Sequence, residues 1–597
     1  MVLFNGGFFM TFFKTVLASA IGFVIANVIV AGFVVVMIIA AIASGSRSDT
    51  ASVPSSAVLK LEPGKVGEFD QYLGFGALSH RGESLTLRQY LARIEGARTD
   101  SRIKGIWLNL GNYRGSWAQA EELRNKLLEF RSSKKFVIAT SDEGGMNESN
   151  YYIATAADSI VLDATSGLEM NGIAASLVFL KPMLDKLGIE AEVVRAGSYK
   201  SAVEPFIRET ASPENREMTT QLVEGTFARF TAAVTQARHL TPDSLKQIID
   251  NKSMLTPWEA KQAGLVDAVL YRDQIDSMLE RHVGDHISQK TVDAADYLPE
   301  SSGDEEEQGR VAIVYLVGQI VRGDGGRSAN PLFGGDSYGD RTFAEAMESA
   351  RKDASVKAVV LRIDSPGGDA GASEAMWREV MLTRKLKPVI VSMGGVAASG
   401  GYYVAAAADT IVADPTTITG SIGVFGLWFT MQKLFEEKLG VHMETIKTGP
   451  NADMFSASRP PTDLERSILA RHIDTTYQRF LNVVAQGRRM SVADVDQVAQ
   501  GRVWTGEQAR ERRLVDVLGG LDTAVSIAAH RVGLKQGGYS VRILPRQRTF
   551  FEKLAEQFGS MQAAMVHRTT VDDYLDILGA MRARAGVQMR MEDITME

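Results

Sequence analysis

Residues 391–425 read VSMGGVAASGGYYVAAAADTIVADPTTITGSIGVF, and the order of strand, serine and helix within them decides the fold. The β-branched run over 389–392 predicts a buried strand, and the small and aromatic residues over 402–408 predict a helix. Ser399 lies between the two. The first N–H groups of a helix lack intrahelical partners and favour negative charge, which suits the oxyanion formed when a serine attacks a carbonyl. An ordinary N-cap serine fits this segment, taken by itself, equally well.

The second half of the chain repeats the first half. Residues 151–161, YYIATAADSIV, match residues 402–412, YYVAAAADTIV. Residues 256–269, TPWEAKQAGLVDAV, match residues 505–518, TGEQARERRLVDVL. A repeat of roughly 250 residues has the size of a domain rather than of a solenoid unit. Short apolar runs alternate with amphipathic helices in each copy, a pattern that favours a layered α/β fold.

These patterns divide the chain into four segments. The acidic, turn-rich residues 297–310 predict a linker between the copies. The stretch after the second copy is amphipathic, and we expect it to pack on the body; contact with a partner subunit or the membrane surface is the alternative. The segments are an anchor with its tether over 1–50, a first domain carrying Lys200 over 51–300, a second domain carrying Ser399 over 301–540, and an extension over 541–597.

The N-terminal region contains a long apolar run. No charged residue occurs from Thr15 to Ser44, and a membrane-spanning helix needs about 20 residues. A cleaved signal peptide is the alternative, because residues 41–43 fit a small-x-small cleavage site. The run exceeds the usual ~7–15 apolar residues of a signal peptide, so we expect an uncleaved single-pass anchor. Positive charge is sparse on both sides of the run and determines its orientation only weakly.

Composition excludes several classes of site and partner. The 597-residue chain has no cysteine, which excludes disulfides, thiol catalysis and cysteine-ligated metals. Its eight histidines show no metal-binding spacing, so neither a metal nor another cofactor is expected. A net charge of -7 gives no indication of nucleic-acid binding.

The two copies differ in the residues that can carry chemistry. Ser399 of the second copy corresponds to Glu148 of the first, and Lys200 of the first copy corresponds to Ala452 of the second. This complementarity is the pattern expected of one Ser–Lys site shared between two domains. A lysine can act as the base for a serine when burial lowers its pKa well below about 10.4. A Ser-His-Asp triad using His442, which we expect in a strand, is the less supported alternative.

A glycine turn offers candidates for an oxyanion hole. Residues 361–368, LRIDSPGG, predict a strand that ends in a turn, followed by a helix from about Ala372. Glycine allows the backbone to approach a substrate closely. The N–H of Gly367 or Gly368, together with that of Gly400, is therefore a candidate for holding the oxyanion. A plain turn between strand and helix fits the same residues.

Four motifs together resemble the long, duplicated form of the signal peptide peptidase A family, also called protease IV. They are DSPGG at 364–368, MGGVAASGGYY at 393–403, TGSIGVFG at 419–426 and GSYKSAVEPF at 197–206. The resemblance implies two tandem ClpP/crotonase-like domains after a transmembrane helix. It also implies a dyad with Ser399 as nucleophile and Lys200 as general base, and Ser421 as the residue that orients Lys200.

The resemblance further implies where the protein acts and on what. Family members are anchored in the inner membrane with the catalytic body on the periplasmic, extracytoplasmic side. They degrade signal-peptide remnants and form a bowl-like homotetramer. We therefore expect peptide substrates, a membrane contact through Thr15 to Ser44, and no nucleic acid. A crotonase-type acyl-CoA enzyme and a catalytically silent membrane scaffold are the alternative functions.

Overall fold

The computed structural model describes residues 53–69, 85–141, 144–299, 308–328, 335–535, 537–546, 586–592 and 594–596. They form a mixed α/β structure. The expected anchor at Thr15 to Ser44 lies outside the described residues, as does most of the expected extension over 541–597. Among the helices that are described, none combines the length and the hydropathy needed to cross a bilayer.

The first half alternates strands and helices. Its strands are β1 (Ala57–Leu61), β2 (Ile103–Asn109), β3 (Phe136–Thr140), β4 (Ser159–Asp163), β5 (Leu168–Glu169), β6 (Ala175–Ser176), β7 (Glu190–Ala196), β8 (Met254–Leu255), β9 (Ala268–Leu270) and β10 (Thr291–Asp293). Its helices cover Leu87–Thr99, Trp117–Arg131, Glu148–Ala154, Lys181–Leu187, Glu204–Ile207, Pro213–Arg238, Pro242–Lys252, Pro257–Gln262, Arg272–Val283 and Ile287–Lys290, with a 3₁₀ turn at Ser201–Val203.

The second half follows the same order. Its strands are β11 (Arg310–Val317), β12 (Gln319–Val321), β13 (Gly325–Ser328), β14 (Gly335–Gly339), β15 (Val356–Ser365), β16 (Gly367–Asp369), β17 (Val389–Ala398), β18 (Thr410–Ala413), β19 (Ile418–Gly420), β20 (Val424–Thr430), β21 (Val503–Thr505), β22 (Val517–Leu518), β23 (Ser540–Leu544), β24 (Gly586–Arg590) and β25 (Thr595–Met596). Its helices cover Asp340–Lys352, Ala370–Arg384, Gly400–Ala405, Asp463–Arg488, Val492–Val498, Gly506–Glu511 and Leu521–Arg531, with a π-helical segment at Leu434–Leu439.

Each half is built around its own sheet. The first sheet has the order β10-β1-β2-β3-β4-β9, and its strands are parallel. The second has the order β21-β19-β17-β15-β11-β23, with β18 also paired to β17 and to β22. The buried strands of parallel sheets are nearly continuous apolar runs because helices cover both faces, and this explains the β-branched runs that the sequence shows.

Equivalent side chains make equivalent contacts in the two halves. The Tyr151 hydroxyl donates to the carbonyl of Leu265 at 2.5 Å, and the Tyr402 hydroxyl donates to the carbonyl of Leu514 at 2.8 Å. Thr256 closes a capping box at the start of its helix, as Thr505 does in the second half. The internal repeat seen in the sequence is therefore a repeat of tertiary contacts as well.

A third sheet joins the halves. Its order is β13-β14-β12-β16-β24-β20-β7. Strand β7 belongs to the first half and pairs antiparallel with β20 of the second half, from Val424 opposite Ala196 to Thr430 opposite Glu190. This pairing places the residues that follow β7 against the second half.

A buried ionic cluster also joins the halves. The guanidinium of Arg362, on β15, is fully buried and contacts Glu68 at 2.8 Å and Glu122 at 2.6 Å, both from the first half. A second oxygen of Glu122 accepts from the backbone N–H of Leu521 at 2.6 Å. Buried ion pairs fix geometry more than they add stability, because both charges lose their water.

The structure corrects three local predictions. The strand expected over 389–392 continues to Ala398, and the glycines expected in a plain turn form the short strand β16 before the helix that begins at Ala370. The strand expected at His442 is wrong, since residues 441–447 form neither strand nor helix. The equivalent β7 of the first half has the neighbour β20 to pair with, which residues 441–447 do not have within the described chain.

Candidate active site

Ser399 lies at the junction that the sequence predicts, after β17 and before the helix Gly400–Ala405. Its backbone has φ 54° and ψ -114°, and its side chain is fully buried. A non-glycine residue in such a region costs about 1–3 kcal/mol and persists when its surroundings fix it. The N–H of Ser399 donates to the carbonyl of Gly420 at 2.8 Å, and its carbonyl accepts from Tyr403 at 2.8 Å. The strained turn fixes the direction of the hydroxyl.

Lys200 reaches this serine on a loop that follows β7. The loop is held against the second half, where the N–H of Tyr199 donates to the carbonyl of Gln500 at 2.8 Å. Gly197 has φ +104°, and a Cβ on it would lie 2.5 Å from the carbonyl carbon of Gln500. The close approach and the left-handed conformation both require glycine at this position.

The lysine amine meets both serines that the sequence singled out. Its Nζ lies 2.8 Å from Ser399 Oγ, 3.0 Å from Ser421 Oγ and 3.1 Å from the carbonyl oxygen of Ser421. A neutral amine has two N–H donors and one lone pair. Both N–H groups can donate to Ser421, and the lone pair can accept from the hydroxyl of Ser399. These contacts use the full hydrogen-bonding capacity of the amine. The three residues, which are far apart in sequence, thus form one hydrogen-bonded group.

Burial sets the protonation of this group. Lys200 is fully buried, and this desolvation lowers its pKa well below its ordinary value. A lowered pKa favours the neutral amine, which is the form that can accept a proton. The arrangement can therefore move the Ser399 proton to Lys200 as the serine oxygen attacks an electrophile.

Two glycines that sequence reasoning missed support the lysine. Gly501 has φ +79°, and a Cβ on it would lie 2.6 Å from the backbone nitrogen of Lys200. A Cβ on Gly423 would lie 3.1 Å from Lys200 Cδ. Gly423 belongs to the TGSIGVFG motif and could have been noted there. Gly501 carries no sequence signal, because its role depends on a loop from the other half.

The predicted oxyanion-hole glycines also converge beside Ser399. Gly367 has φ +93°, and a Cβ on it would lie 2.6 Å from the backbone nitrogen of Gly400. The N–H of Gly367 is directed at Ser365 Oγ at 3.2 Å. Gly368 lies on β16 opposite Ile320 of β12. The structure brings all three glycines to one place, and a side chain on Gly367 would close the space between them.

Comparison with known proteins finds a family match in each half of the chain. Residues 129–284 and 382–535 each match peptidase family S49. The chain belongs to peptidase family S49. The first matched region contains Lys200, and the second contains Ser399 and Ser421. The duplication is thus visible in the family match as well as in the fold.

Full-length relatives carry S49 peptidase names. The chain is 34% identical to the chloroplastic serine protease SPPA of Arabidopsis thaliana, over 87% of this chain and 76% of that protein. It is 36% identical to protease 4 of Salmonella typhi, over 77% of this chain and 74% of that protein, and 34% identical to protease 4 of Haemophilus influenzae, over 85% of each. The protein is therefore a serine peptidase, an enzyme that hydrolyses peptide bonds.

Two other residues considered in the sequence analysis of this S49 peptidase, Glu148 and His442, do not contact Ser399. Glu148, which takes the place of Ser399 in the first half, accepts from the N–H groups of Asn171 at 2.6 Å and Gly172 at 2.9 Å, so it stabilises a local turn. His442 is exposed on a segment without secondary structure. The hydroxyl of Ser399 faces Lys200 instead, so the structure gives no support to a triad through His442.

Proposed function

We propose that this S49 peptidase uses a Ser–Lys dyad, with Ser399 as nucleophile and Lys200 as general base, to degrade signal-peptide remnants and other extended apolar peptides. The observation that carries the proposal is the distance of 2.8 Å between Lys200 Nζ and Ser399 Oγ in a fully buried site. A base must be within hydrogen-bond reach of the proton it abstracts and must be unprotonated. The distance of Lys200 from Ser399 satisfies the first condition, and its lowered pKa supports the second.

The proposed reaction follows from the positions of the groups. Lys200 accepts the proton of Ser399 as its oxygen attacks the peptide carbonyl carbon. The N–H of Gly400, with that of Gly367 or Gly368, holds the oxyanion. The ammonium of Lys200 then gives its proton to the departing amine, and a water molecule hydrolyses the acyl-enzyme by the same steps. Ser421 keeps the amine aimed at Ser399 throughout.

The proposed substrate class follows from the dryness of the site. Apolar side chains gain about 25 cal/mol per Å² on leaving water, whereas a charged side chain beside the cut would lose its water without a partner. A folded protein has its backbone hydrogen bonds already made, so it presents no free strand. Cleaved signal peptides are apolar and unfolded, and they satisfy both requirements.

We also propose the setting of the enzyme. Two ClpP/crotonase-like domains, over 51–300 and 301–540, follow an uncleaved anchor at Thr15 to Ser44, and they lie on the extracytoplasmic side of the inner membrane. The uncharged run of the anchor supports the membrane contact. An enzyme placed there would meet signal-peptide remnants where they are released.

A homotetramer is the proposed assembly, and the repeat suggests how it forms. Within the chain, β7 of the first half pairs with β20 of the second. Residues 442–447 are the second-half equivalent of residues 190–195 of β7, and they expose Met443 and Ile446, the last at 95%. The first-half equivalent of β20 surrounds β6, where Val178 is 68% exposed. If these two segments pair between copies, they repeat the contact of β7 with β20 in a head-to-tail arrangement. Such an arrangement forms a ring when the rotation between neighbouring copies closes.

Hydrolysis of a fluorogenic apolar peptide by the purified full chain tests the proposed dyad. We expect Ser399→Ala and Lys200→Ala each to abolish cleavage, and the double variant to be no worse, because residues acting as a unit lose function non-additively. The matched control is Lys135→Ala, a partly buried lysine that donates to the carbonyls of Ala97 and Asp100. Near-normal turnover by Lys200→Ala would refute the dyad. An acyl-CoA assay with the same variants addresses the crotonase alternative.

The oligomer is tested separately by mass photometry. We expect Ile446→Asp to convert the tetramer to smaller species, because the exposed segment would carry a charge into the contact. Leu386→Asp, at another exposed apolar side chain (71% exposed), is the control. A tetramer that survives Ile446→Asp unchanged would contradict the proposed contact.

A further inference from the structure

Arg502 takes no part in the proposed reaction, yet its backbone contacts a residue that holds the lysine amine. It directly precedes β21, which pairs antiparallel with β19 so that Gly420 lies opposite Val503. Ser421 follows Gly420 in the chain, and the N–H of Ser421 donates to the carbonyl of Arg502 at 2.7 Å. The backbone of Arg502 therefore holds the residue that contacts the amine of Lys200.

This backbone contact is important because Ser421 has an unfavourable conformation. Its φ is 49°, in the left-handed region that residues with a side chain rarely adopt. Such a conformation persists when the surrounding structure fixes it. The N–H of Gly501 donates to the carbonyl of Ile422 at 2.8 Å. Two hydrogen bonds from Gly501 and Arg502 thus flank Ser421 and fix its backbone.

The side chain of Arg502 reaches the loop that carries Lys200. Its guanidinium carbon lies over the ring of Tyr199, 4.5 Å from the ring centroid, and Tyr199 directly precedes Lys200. The same carbon lies over the ring of Trp504 at 4.6 Å. The attraction of a cation to an aromatic face is stronger where water is excluded, and Trp504 is buried. These ring contacts hold the residue next to the proposed base.

The guanidinium is also bound to a helix of the first half, Pro213–Arg238. Its Nη2 lies 2.7 Å from one carboxylate oxygen of Glu217 and 2.6 Å from the side-chain oxygen of Gln221. The hydroxyl of Tyr199 donates to the other carboxylate oxygen of Glu217 at 3.1 Å. Arg502, Tyr199 and Glu217 therefore form a closed set of contacts that crosses between the halves.

The hydrogen bonding of this guanidinium is incomplete. The Nε atom of Arg502 is buried and has no hydrogen-bond partner among the described residues. A buried donor without a partner costs free energy, and the ion pair with the half-exposed Glu217 adds little stability. The contacts of Arg502 are thus better explained by the position that they give to Tyr199 and Ser421 than by stabilisation of the fold.

We propose that Arg502 is a positioning residue, which fixes Ser421 through its backbone and the Lys200 loop through its side chain, and so sets where the amine lies relative to Ser399. The proposal rests on the proposed function for the roles of Lys200 and Ser399. A displacement of about 1 Å can lower a rate about 100-fold. Loss of the Arg502 side chain should therefore lower kcat and leave KM nearly unchanged.

Two rates measured on the full chain test the proposal. They are hydrolysis of a fluorogenic apolar peptide and labelling of Ser399 by a fluorophosphonate, with Ser399→Ala as the blank. We expect Arg502→Met to lower kcat and the labelling rate each about 10- to 100-fold, with little change in KM. Arg502→Lys keeps the charge but not the planar group that stacks on the rings, so it should recover part of both rates.

A second background shows whether Arg502 acts through the amine. Residues that act as a unit lose function non-additively. We therefore expect Arg502→Met to cause no further loss of labelling when it is added to Lys200→Ala. A further loss in that background would contradict the proposal, because Arg502 would then act on Ser399 by another route.

The matched control is Arg512→Met, which should change neither rate. Arg512 lies over the ring of Trp504 at 3.8 Å, and its Nη1 donates to the carbonyl of Gln508 at 2.8 Å. It shares Trp504 with Arg502 but takes no part in the contacts with Tyr199 and Glu217 in the described chain. Circular dichroism checks that each variant is folded. If Arg502→Met does not fold, Glu217→Gln replaces it as the test and should lower both rates several-fold.

The outcomes separate this proposal from the proposed function. Normal kcat and labelling in Arg502→Met, or in Glu217→Gln if that variant replaces it, would overturn the positioning role. An equal loss in Arg512→Met, or a change in KM alone, would overturn it as well. If the parent does not cleave the apolar peptide but Arg502→Met still lowers labelling, the positioning role stands and the proposed substrate is refuted. A parent that is not labelled at Ser399 would refute both.

Discussion

Replacing Ser421 by alanine removes one of the three contacts of the lysine amine. The Nζ of Lys200 lies 3.0 Å from the hydroxyl of Ser421 and 3.1 Å from its carbonyl oxygen. Ser421→Ala keeps the carbonyl contact and leaves one buried N–H unpaired. An unpaired buried donor costs about 1–3 kcal/mol, which corresponds to about 10- to 100-fold in rate if the cost falls on the transition state. We expect turnover to fall by that factor and not to vanish.

The pH dependence of the same variant has a definite sign. The hydroxyl of Ser421 accepts from the amine in both protonation states, but hydrogen bonds to charged groups are stronger. Its removal therefore destabilises the ammonium form more, and the already lowered pKa of Lys200 falls further. Activity needs the neutral amine, so the acidic limb of the pH–rate profile should move to lower pH as the plateau falls.

The assay is kcat/KM on a fluorogenic apolar peptide from mildly acidic to alkaline pH, with both changes read from one profile. The control is Thr419→Val, which removes a buried hydroxyl that donates to the carbonyl of Ala397 at 2.6 Å and does not contact the lysine. An unchanged rate in Ser421→Ala would show that this residue does not orient Lys200. A profile that moves to higher pH would contradict the hydrogen-bond argument.

Three further predictions concern stability and packing. Lys200→Met should stabilise the fold, because burying the charged amine destabilises the wild type. This cost is complete below the lowered pKa of Lys200 and disappears as the pH rises toward 10.5. In urea unfolding, the difference in free energy of unfolding between variant and wild type should shrink by up to about 1.4 kcal/mol per pH unit. Gly501→Ala should lower kcat/KM at least about tenfold, because its Cβ would lie 2.6 Å from the Lys200 nitrogen at φ +79°; normal activity would contradict this. Arg362→Ala should lower the free energy of unfolding by about 3–5 kcal/mol, because it leaves the buried carboxylates of Glu68 and Glu122 without a cation. A loss under about 1 kcal/mol would refute this prediction.

The candidate site depends on contacts between the two halves. Lys200 is placed by the pairing of β7 with β20 and by the contact of its loop with Gln500. Both contacts cross between the halves. If the proposed dyad is correct, a change at the interface, even far along the sheet from Ser399, should alter catalysis by moving Lys200 relative to Ser399.

The sequence was sufficient to predict the helices and strands, from the spacing of apolar residues, and the internal repeat. Strand β2 and the helix Trp117–Arg131 fit the alternation of short apolar runs and amphipathic helices in the sequence, because the spacing of apolar residues is a local property. Sequence reasoning failed at residues 441–447, where Met443 and Ile446 take the places of Ala191 and Val194 of β7. A strand requires a neighbouring edge, and the described chain offers none there.

The sequence by itself determined which residues could carry chemistry. The exchange of Ser399 for Glu148 and of Lys200 for Ala452 between the copies indicated one divided site, and the absence of cysteine removed the thiol alternatives. The tertiary structure alone decided that the lysine is buried at 2.8 Å from the serine, that Gly501 leaves room for it, and that β24 lies between β16 and β20. A pKa shift depends on the groups that exclude water from the amine. Those groups come from distant parts of the chain, and only the fold brings them together.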